Sequence, residues 1–349
     1  MILMSKRILA AACAAATALA LSACSPSAST GGKTSKDGTL TVMASFYPLK
    51  YLAEKVGGEH VTVTSLTPDG AEPHDLELSP KMVDSLASAD AVVYLAGFQG
   101  AVDEAVEQHA PKTVIDVSPA AQLVAIDSTS NHPGEDEDTD EAQSGEAQSG
   151  EAADHDHEGH EHEGHDHEHA DHDHHHDMSM DPHFWLDPAR MANAATLVGD
   201  KLAEADPTNA ETYKANAQAL NEELTSLGDN LVAKTSTCQI KTFVTAHTAF
   251  GYLADRTGLT QVGISGLDPE SSPSPARLAE IGKIVKDQGV TTIFTEALID
   301  PKVEQTLATD LGISTAILDP IESQTDSSKD YAAVMNDNID ALTKANNCQ

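Results

Sequence analysis

The sequence predicts an α/β protein of two similar lobes joined by one long helix. Short apolar runs alternate with helical patterns in residues 39–205, and the same alternation returns in residues 235–349. Between them, residues 206–234 form an amphipathic helical stretch. Apolar runs that alternate with helices are typical of a mainly parallel sheet covered by helices, so each lobe is expected to contain one such sheet.

The N-terminal lobe is predicted to hold four strands and three helices. The strand candidates are apolar runs bounded by turn residues: TLTVMASF, VTVTSLTP, AVVYLAG and TVIDVS. The helix candidates stand between or after them: YPLKYLAEKVGG, KMVDSLASAD and FQGAVDEAVEQ. Each of the four apolar runs given as a strand candidate is too short for a helix and has the length of a buried strand.

The joining segment is predicted to be helical from Ala189 to Ala233. Asp206 is a candidate N-cap with Pro207 at the first helical position, so a long helix is expected over 206–234. Apolar residues recur on one face at steps of three and four: Tyr213, Ala217, Leu220, Leu224, Leu227 and Leu231. A stripe of this kind is expected to be buried along about six turns.

The C-terminal lobe repeats the pattern of the first. Its strand candidates are KTFVTAH, TQVGIS, TTIFTEA and STAILDP. Its helix candidates are TAFGYLADRTG, SPARLAEIGKIVKDQG, PKVEQTLATDLG and KDYAAVMNDNIDALTKA.

Residues 127–180 interrupt the first lobe with an acidic, histidine-rich segment. Residues 131–177 contain 18 Asp and Glu and no Lys or Arg, which is half of the formal net charge of −36. With almost no aliphatic residues, this segment cannot bury apolar surface, and we expect it to be disordered without metal. The overall charge argues against nucleic acid and anionic membrane surfaces as partners.

The N-terminus is predicted to be a sorting signal over residues 1–23. Lys6 and Arg7 precede an Ala-rich apolar run that is short for a membrane span, and LSAC ends it. LSAC resembles the lipobox of bacterial lipoproteins, and residues 24–38 form a Ser/Gly/Lys-rich tether. We therefore expect export and a lipid on Cys24 that anchors the chain to the outer face of the bacterial cytoplasmic membrane. The alternatives are an ordinary cleaved signal and a transmembrane helix.

Two cysteines remain in the predicted folded body. In an exported chain, Cys238 and Cys348 are expected to form a disulfide, since neither belongs to a CxxC pair.

Three histidines and several carboxylates follow predicted strands. They stand in AEPHDLELSP (His74), DPHFWLDP (His183), TAHTAFGYLA (His247), FTEALIDP (Glu296) and LDPIES (Asp319 and Glu322). Ligands of open parallel sheets bind at the carboxyl ends of the strands, so two facing lobes would gather these residues in one cleft. Three imidazoles and one carboxylate suit a four-coordinate zinc ion.

In their order, these motifs and the His-rich insertion resemble the cluster A-I metal-binding lipoproteins of ABC importers, and within them the zinc-uptake (ZnuA-like) branch. The resemblance covers residues 40–349. It implies two α/β lobes joined by a long helix, a metal in the interlobe cleft, and an ABC permease as the partner of a monomeric binding protein. It also implies that His74, His183 and His247 are ligands.

The fourth ligand is less defined by the resemblance. Asp319 of LDP matches the C-terminal carboxylate of the family and is the preferred candidate, with Glu322 and Glu296 as alternatives. In the manganese branch the third position is typically Glu, so His247 favours zinc.

The histidine run from 155 to 176 is interpreted as an auxiliary, low-affinity metal segment. Its spacing permits many overlapping complexes, and a disordered chain loses entropy on adopting any one of them. It would collect or sense zinc, or serve only as a solvated spacer. Its histidines are His155, His157, His160, His162, His165, His167, His169, His172, His174, His175 and His176.

Three other functional classes are less well supported by the sequence than zinc delivery. A zinc hydrolase would need an open coordination position and a general base, and the sequence lacks HExxH, GxSxG and a P-loop. A manganese-binding member of the same family is the nearer alternative. An adhesin has no independent support in an aromatic patch or a repeat.

Overall fold

The computed structural model of the protein describes residues 38–109, 111–126, 131–132 and 179–349. These residues form two four-stranded parallel sheets flanked by helices. The strands of the first sheet are β1 (Leu40–Ala44), β2 (Val61–Ser65), β3 (Ala91–Tyr94) and β4 (Thr113–Asp116). The strands of the second are β5 (Thr242–Thr245), β6 (Thr260–Gly263), β7 (Thr292–Thr295) and β8 (Ser314–Ile317). The orders β2-β1-β3-β4 and β6-β5-β7-β8 are equivalent, which confirms two similar α/β lobes.

Ten α-helices are present in the described residues. They are α1 (Tyr47–Gly57), α2 (Pro80–Ser88), α3 (Gly100–His109), α4 (Ser118–Ala121), α5 (Pro188–Ala205), α6 (Ala210–Thr235), α7 (Gly251–Thr257), α8 (Pro275–Gln288), α9 (Lys302–Leu311) and α10 (Tyr331–Ala345). Two short 3₁₀ turns complete the set, at Gly58–His60 and Phe184–Leu186. None of these helices has the length and apolar character that crossing a membrane requires.

Strand β1 shows how the N-terminal lobe (β1–β4 with α1–α5) forms its core. Successive side chains of a strand point to opposite faces of a sheet. Val42 and Ala44 therefore join the large central core, whereas Met43 joins a smaller core with Leu86 and Val102 on the other face. Because both faces are covered, the strand reads as a nearly continuous apolar run.

Helices α5 and α6 form an antiparallel hairpin. Asn221 donates its side-chain amide to the Ala192 carbonyl oxygen at 2.9 Å, and a Cβ added to Gly199 would lie 2.4 Å from the Ala217 Cβ. Small residues therefore let the two helices approach closely. The six apolar positions predicted along α6 are all buried.

The predicted start of the linking helix is wrong by a few residues. Asp206 is the C-cap of α5, and α6 begins at Ala210 instead of in the DPTN segment. The Asp206 carboxylate accepts the Thr208 backbone N–H and the Tyr213 hydroxyl, so it closes the turn between two helices. An Asp that stabilises a turn and an Asp that caps a helix stand in similar local sequences, so the pattern alone does not distinguish them.

Helix α6 contacts both lobes. It packs on α1 in the N-terminal lobe and on α7 and α10 in the C-terminal lobe (β5–β8 with α7–α10). Its buried face belongs to the central core that is shared by the two lobes. The C-terminal lobe has its own smaller core around Val244, Ile281 and Ile293.

The Cys238–Cys348 disulfide is present, as predicted. It ties the residue segment before β5 to the C-terminus, across 110 positions of sequence. The signal peptide, the tether with Cys24 and the histidines from 155 to 176 lie outside the described residues.

Residues 131–132 and 179–180 of the segment 127–180 are described. Asn131 and His132 lie against the C-terminal lobe, and Met180 forms an isolated antiparallel bridge with Ala125. His132 is 1% exposed, so this pair departs from the disorder expected of the segment.

Candidate metal centre

His74 lies in the long loop between β2 and α2. Its backbone N–H donates to both oxygens of the Glu72 carboxylate, at 3.0 and 2.9 Å. The Gln99 side-chain amide donates to the Pro73 carbonyl oxygen at 3.0 Å, and the Phe98 ring meets the His74 ring edge-on at 4.9 Å. The loop has no regular secondary structure, and these contacts fix the imidazole instead.

His183 is held by the carboxylate two residues before it. Asp181 Oδ1 accepts the His183 backbone N–H at 2.9 Å and lies 2.8 Å from His183 Nδ1. This bond places the proton on Nδ1 and leaves Nε2 as the metal-binding nitrogen. The following Trp185 donates its indole N–H to the Pro320 carbonyl oxygen of the opposite lobe at 2.7 Å.

His247 follows β5 by two residues and is oriented in the same way. Glu296, at the end of the neighbouring β7, places Oε1 2.6 Å from His247 Nδ1. The Gln261 side chain donates to the His247 carbonyl oxygen at 3.1 Å. Adjacent parallel strands end at one edge of the sheet, so Glu296 reaches His247 across a sequence separation of 49.

Glu322 completes the group from the loop after β8. Its Oε1 lies 3.5 Å from His74 Nε2 and 3.3 Å from both His183 Nε2 and His247 Nε2. The four donor atoms lie within 4.8 Å of one another. The residue before Glu322, Ile321, has a φ of 58°, an uncommon conformation for a β-branched residue that marks a locally strained turn.

These four donor atoms are buried, and none makes a hydrogen bond with another described residue. Buried polar atoms are ordinarily paired, so three imidazole nitrogens and one carboxylate oxygen that face one point indicate a cation between them. Three nitrogens and one oxygen form the four-coordinate set that zinc prefers, whereas an oxygen-dominated set would suit manganese or magnesium.

The charges of the site are strongly coupled. Burial opposes a charge on His183 and His247, but Asp181 raises the pKa of His183 and Glu296 raises the pKa of His247 well above its ordinary value. Burial also opposes a charge on Glu322, but the facing imidazoles of His183 and His247 hold its pKa well below the usual range. Protons therefore compete with a metal ion for the same imidazole nitrogens, and an incoming ion must displace them.

The mouth of the site is acidic. A pocket beside the four donors is lined by Glu72, Glu296, Asp319 and Glu322, together with the apolar loop residues Leu298 and Ile299. Carboxylates around a narrow opening raise the local concentration of cations.

This geometry favours Glu322, one of the two alternatives, over Asp319, the candidate preferred from the sequence. Asp319 lies outside the group of four, and its Oδ1 accepts the Ile321 backbone N–H at 2.7 Å. Its carboxylate stabilises the turn that carries Glu322. Glu296, the other alternative, contacts Nδ1 of His247 on the side away from the donors. The structure thus brings Glu322 to the three histidines.

Three residues behind His183 were not predicted from the sequence: His132, Asp181 and Asp255. His132 Nδ1 lies 2.6 Å from Asp181 Oδ2, and His132 Nε2 lies 2.8 Å from Asp255 Oδ2. Asp181 had a signal in the motif DPHFWLDP, as a carboxylate two residues before a candidate ligand. His132 had none, because it stands in an acidic segment without regular pattern.

Residues 42–345 match the family model described as "ZnuA: Zinc-uptake complex component A periplasmic". The chain is 33% identical over 313 residues to the zinc-binding lipoprotein AdcA of Streptococcus pneumoniae, a match that covers 88% of this chain and 56% of that protein. It is 31% identical over 333 residues to the high-affinity zinc uptake system protein ZnuA of Bacillus subtilis, with 94% of each chain covered.

A solved structure of a zinc-binding domain is also similar to this chain. The crystal structure of the Zn(II)-bound ZnuA-like domain of Streptococcus pneumoniae AdcA has a TM-score of 0.66 and 28% identity, over 88% of this chain and 99% of that one. The chain therefore spans little more than half of the full AdcA protein but almost all of its ZnuA-like domain. Together with the family match, which covers most of the sequence, this shows that the chain belongs to the ZnuA family.

Proposed function

We propose that the protein is an extracytoplasmic zinc-binding protein that captures Zn²⁺ and delivers it to an ABC importer. The observation that carries the proposal is the convergence of His74, His183, His247 and Glu322 within 4.8 Å in a buried cleft. In this proposal each of the three histidines binds the ion through Nε2, and Glu322 binds it through Oε1.

Zinc is favoured over manganese by the donor set. Three imidazole nitrogens are borderline-soft ligands that suit zinc, whereas manganese prefers carboxylate and carbonyl oxygens. The Nδ1 hydrogen bonds to Asp181 and Glu296 hold two of the rings in the binding orientation before an ion arrives. A preorganised set loses little entropy on binding, which supports tight capture.

The same geometry argues against a zinc enzyme. Four protein donors would fill a tetrahedral zinc ion, and a hydrolase needs one position for water or substrate. We therefore assign the ion the role of cargo. Zn(II)-bound structures of the AdcA ZnuA-like domain support this assignment by their similarity.

We further propose that the protein is exported, is anchored by a lipid on Cys24, and acts as a monomer that docks on a permease. The LSAC motif supports the anchor, and the relative from Streptococcus pneumoniae is named as a lipoprotein. The histidines from 155 to 176 would then supply ions to the cleft from the same side of the membrane.

The experiment that tests zinc capture is a competition titration of the purified protein with a chelator of known affinity, for Zn²⁺ and for Mn²⁺. We expect one tight zinc equivalent, weaker additional zinc binding and much weaker binding of manganese. In His247→Ala the tight affinity should fall at least about a hundredfold, because loss of a residue that only supports a ligand already costs 10–100-fold. The matched control is His109→Ala, since His109 is exposed at the end of α3. Tighter manganese than zinc, or an unchanged tight equivalent in His247→Ala, would contradict the proposal.

A further inference from the structure

His132 occupies a buried position between the two lobes. The residue is 1% exposed, and its two ring nitrogens face two different carboxylates. Asp181 belongs to the loop that carries His183, whereas Asp255 lies on α7 in the C-terminal lobe. His132 therefore connects a metal-site loop of one lobe to a helix of the other.

The two oxygens of Asp181 have different partners. Oδ1 accepts from the backbone and Nδ1 of His183, while Oδ2 lies 2.6 Å from His132 Nδ1. Asp181 is fully buried, so Oδ2 would have no partner among the described residues without His132. A buried carboxylate oxygen without a donor is costly, and the carboxylate would turn or take up a proton.

Helix α7 is shaped to receive this histidine. A Cβ at Gly251 would lie 2.7 Å from the His132 ring, so only glycine leaves the space. The Tyr252 ring meets the His132 ring at 4.6 Å, and its hydroxyl donates to the Asp181 carbonyl oxygen at 2.7 Å. Asp255, one turn further, faces His132 Nε2.

Asn131 fixes the backbone next to His132. Its side-chain amide donates to Asp255 Oδ1 at 2.9 Å, and its side-chain oxygen accepts the Gln261 backbone N–H at 3.1 Å. The pair is thus attached to the C-terminal lobe through several directed hydrogen bonds. A histidine that only filled space would not need them.

We infer that His132 is a positioning residue for the metal ligand His183: it holds Asp181 in place from the opposite lobe and so links the closed arrangement of the lobes to the orientation of the His183 imidazole. The inference rests on the proposed zinc site, since it assigns His132 to the support of one of its ligands. Carboxylates behind metal-bound histidines commonly fix ring orientation and basicity. Here that carboxylate is itself held by a second histidine.

The charge balance agrees with this geometry. Burial opposes a charge on His132, but its hydrogen bonds and proximity to Asp181 and Asp255 raise the pKa of its imidazole. Both ring nitrogens then donate, which satisfies the two facing carboxylates at once.

The test uses three variants of the full chain at position 132, one at position 255 and one control. His132→Phe keeps the ring and removes both donors. His132→Asn places an amide N–H near the position of Nδ1, facing Asp181, whereas His132→Gln places it near Nε2, facing Asp255. Asp255→Ala removes the outer carboxylate at a side chain that is 48% exposed. His109→Phe is the exposed control.

Three readouts are compared: zinc affinity by chelator competition, the visible absorption of the Co²⁺-substituted protein, and hydrogen exchange of the His183 amide in the metal-free protein. We expect His132→Phe to lower zinc affinity about 10–100-fold, shift the Co²⁺ bands and speed the exchange. His132→Asn should restore most of the affinity, His132→Gln should not, and Asp255→Ala should have a smaller effect than His132→Phe.

The inference is overturned if His132→Phe and His132→Gln match the wild type in zinc affinity and Co²⁺ spectrum and only the melting temperature falls. It is also overturned if His132→Asn and His132→Gln lose the same affinity. Should His132→Phe fail to fold, the comparison of the Asn and Gln variants decides. If neither the wild type nor His109→Phe binds zinc tightly, the proposed function is contradicted instead. The positioning role is then tested by the metal-free protein alone, and unchanged exchange of the His183 amide in His132→Phe would reject it.

Discussion

At the scale of single residues, the carboxylates around the site differ in the nitrogen they contact. Glu322 faces the three Nε2 atoms, whereas Asp181 and Glu296 face the Nδ1 atoms of His183 and His247. The imidazole rings of His183 and His247 therefore lie between an inner carboxylate, available to the ion, and outer carboxylates that hold the rings. The type of residue is the same in each case, and only its position determines what it does.

Replacement of Asp319 tests whether this residue is a metal ligand or only lies beside the metal site. Burial, Glu322 and Glu296 raise the pKa of Asp319 to about 6, above the 3.8 of an ordinary Asp. A raised pKa means that the folded state disfavours the charged carboxylate, so stability falls as the pH rises from about 4 to about 6. Asn at this position keeps an oxygen for the Ile321 N–H and removes the charge.

We expect metal-free Asp319→Asn to melt about 2 °C above the wild type at pH 7.5, with the difference vanishing near pH 4. Its zinc affinity should remain within about threefold of the wild type, while Glu322→Gln should lose at least about tenfold. Thermal melts at both pH values and chelator competition check this. A larger loss of zinc in Asp319→Asn than in Glu322→Gln would make Asp319 the ligand.

At the scale of elements, structure can be predicted from the sequence where a local pattern determines the outcome. All eight strands were predicted, because each is a short apolar run between turn residues. The three histidines were predicted from their Pro- or Gly-rich contexts at the expected ends of strands. Only His247 directly follows a strand, whereas His74 lies in the loop after β2 and His183 follows the isolated bridge at Met180.

The remaining features depend on contacts distant in sequence. Asp319 and Glu322 are three residues apart in one loop, and the turn at Ile321 decides which of them points inward. His132 has its partners 49 and 123 residues away, so nothing near it in the sequence indicates a role. Local patterns therefore located the site but could not distinguish its ligands from their supports.

The histidine-rich segment offers a prediction at this scale. Replacing residues 133–178 with a short Gly/Ser linker should preserve one tight zinc equivalent and abolish the weaker ones, because the four proposed ligands and His132 remain. Extending the deletion to residues 131–178 should weaken the tight site by about the same factor as His132→Phe. Zinc titrations of the two deletions are the measurement. Loss of the tight equivalent in the shorter deletion would place that site in the histidine-rich segment.

At the scale of the whole molecule, the two lobes are tied together around the site. Trp185 donates across the cleft to Pro320, the Tyr331 hydroxyl donates to the Trp185 carbonyl oxygen, and the Gly70 N–H donates to the Ser323 hydroxyl. Helix α6 joins both lobes through a common apolar core. The lobes thus present their loops to each other at a fixed spacing, which is what a four-donor site requires.

The disulfide belongs to this scale as well. Cys238 precedes β5 and His247 follows it, so the bridge and the metal site lie at opposite ends of the strand. The double variant Cys238→Ser/Cys348→Ser should lower the melting temperature by roughly 10 °C, because the bridge restricts a long loop of the unfolded chain. Zinc stoichiometry should not change. A lost zinc equivalent would show that the bridge also shapes the site.

The central claim is that one ion is held between the lobes by His74, His183, His247 and Glu322. Anomalous diffraction at the zinc edge, on crystals of protein loaded with one equivalent of Zn²⁺, tests it most directly. We expect a single strong peak about 2.0–2.2 Å from the three Nε2 atoms and Glu322 Oε1. A peak bound by Asp319 in place of Glu322, or a cleft without zinc while the ion lies elsewhere, would contradict it.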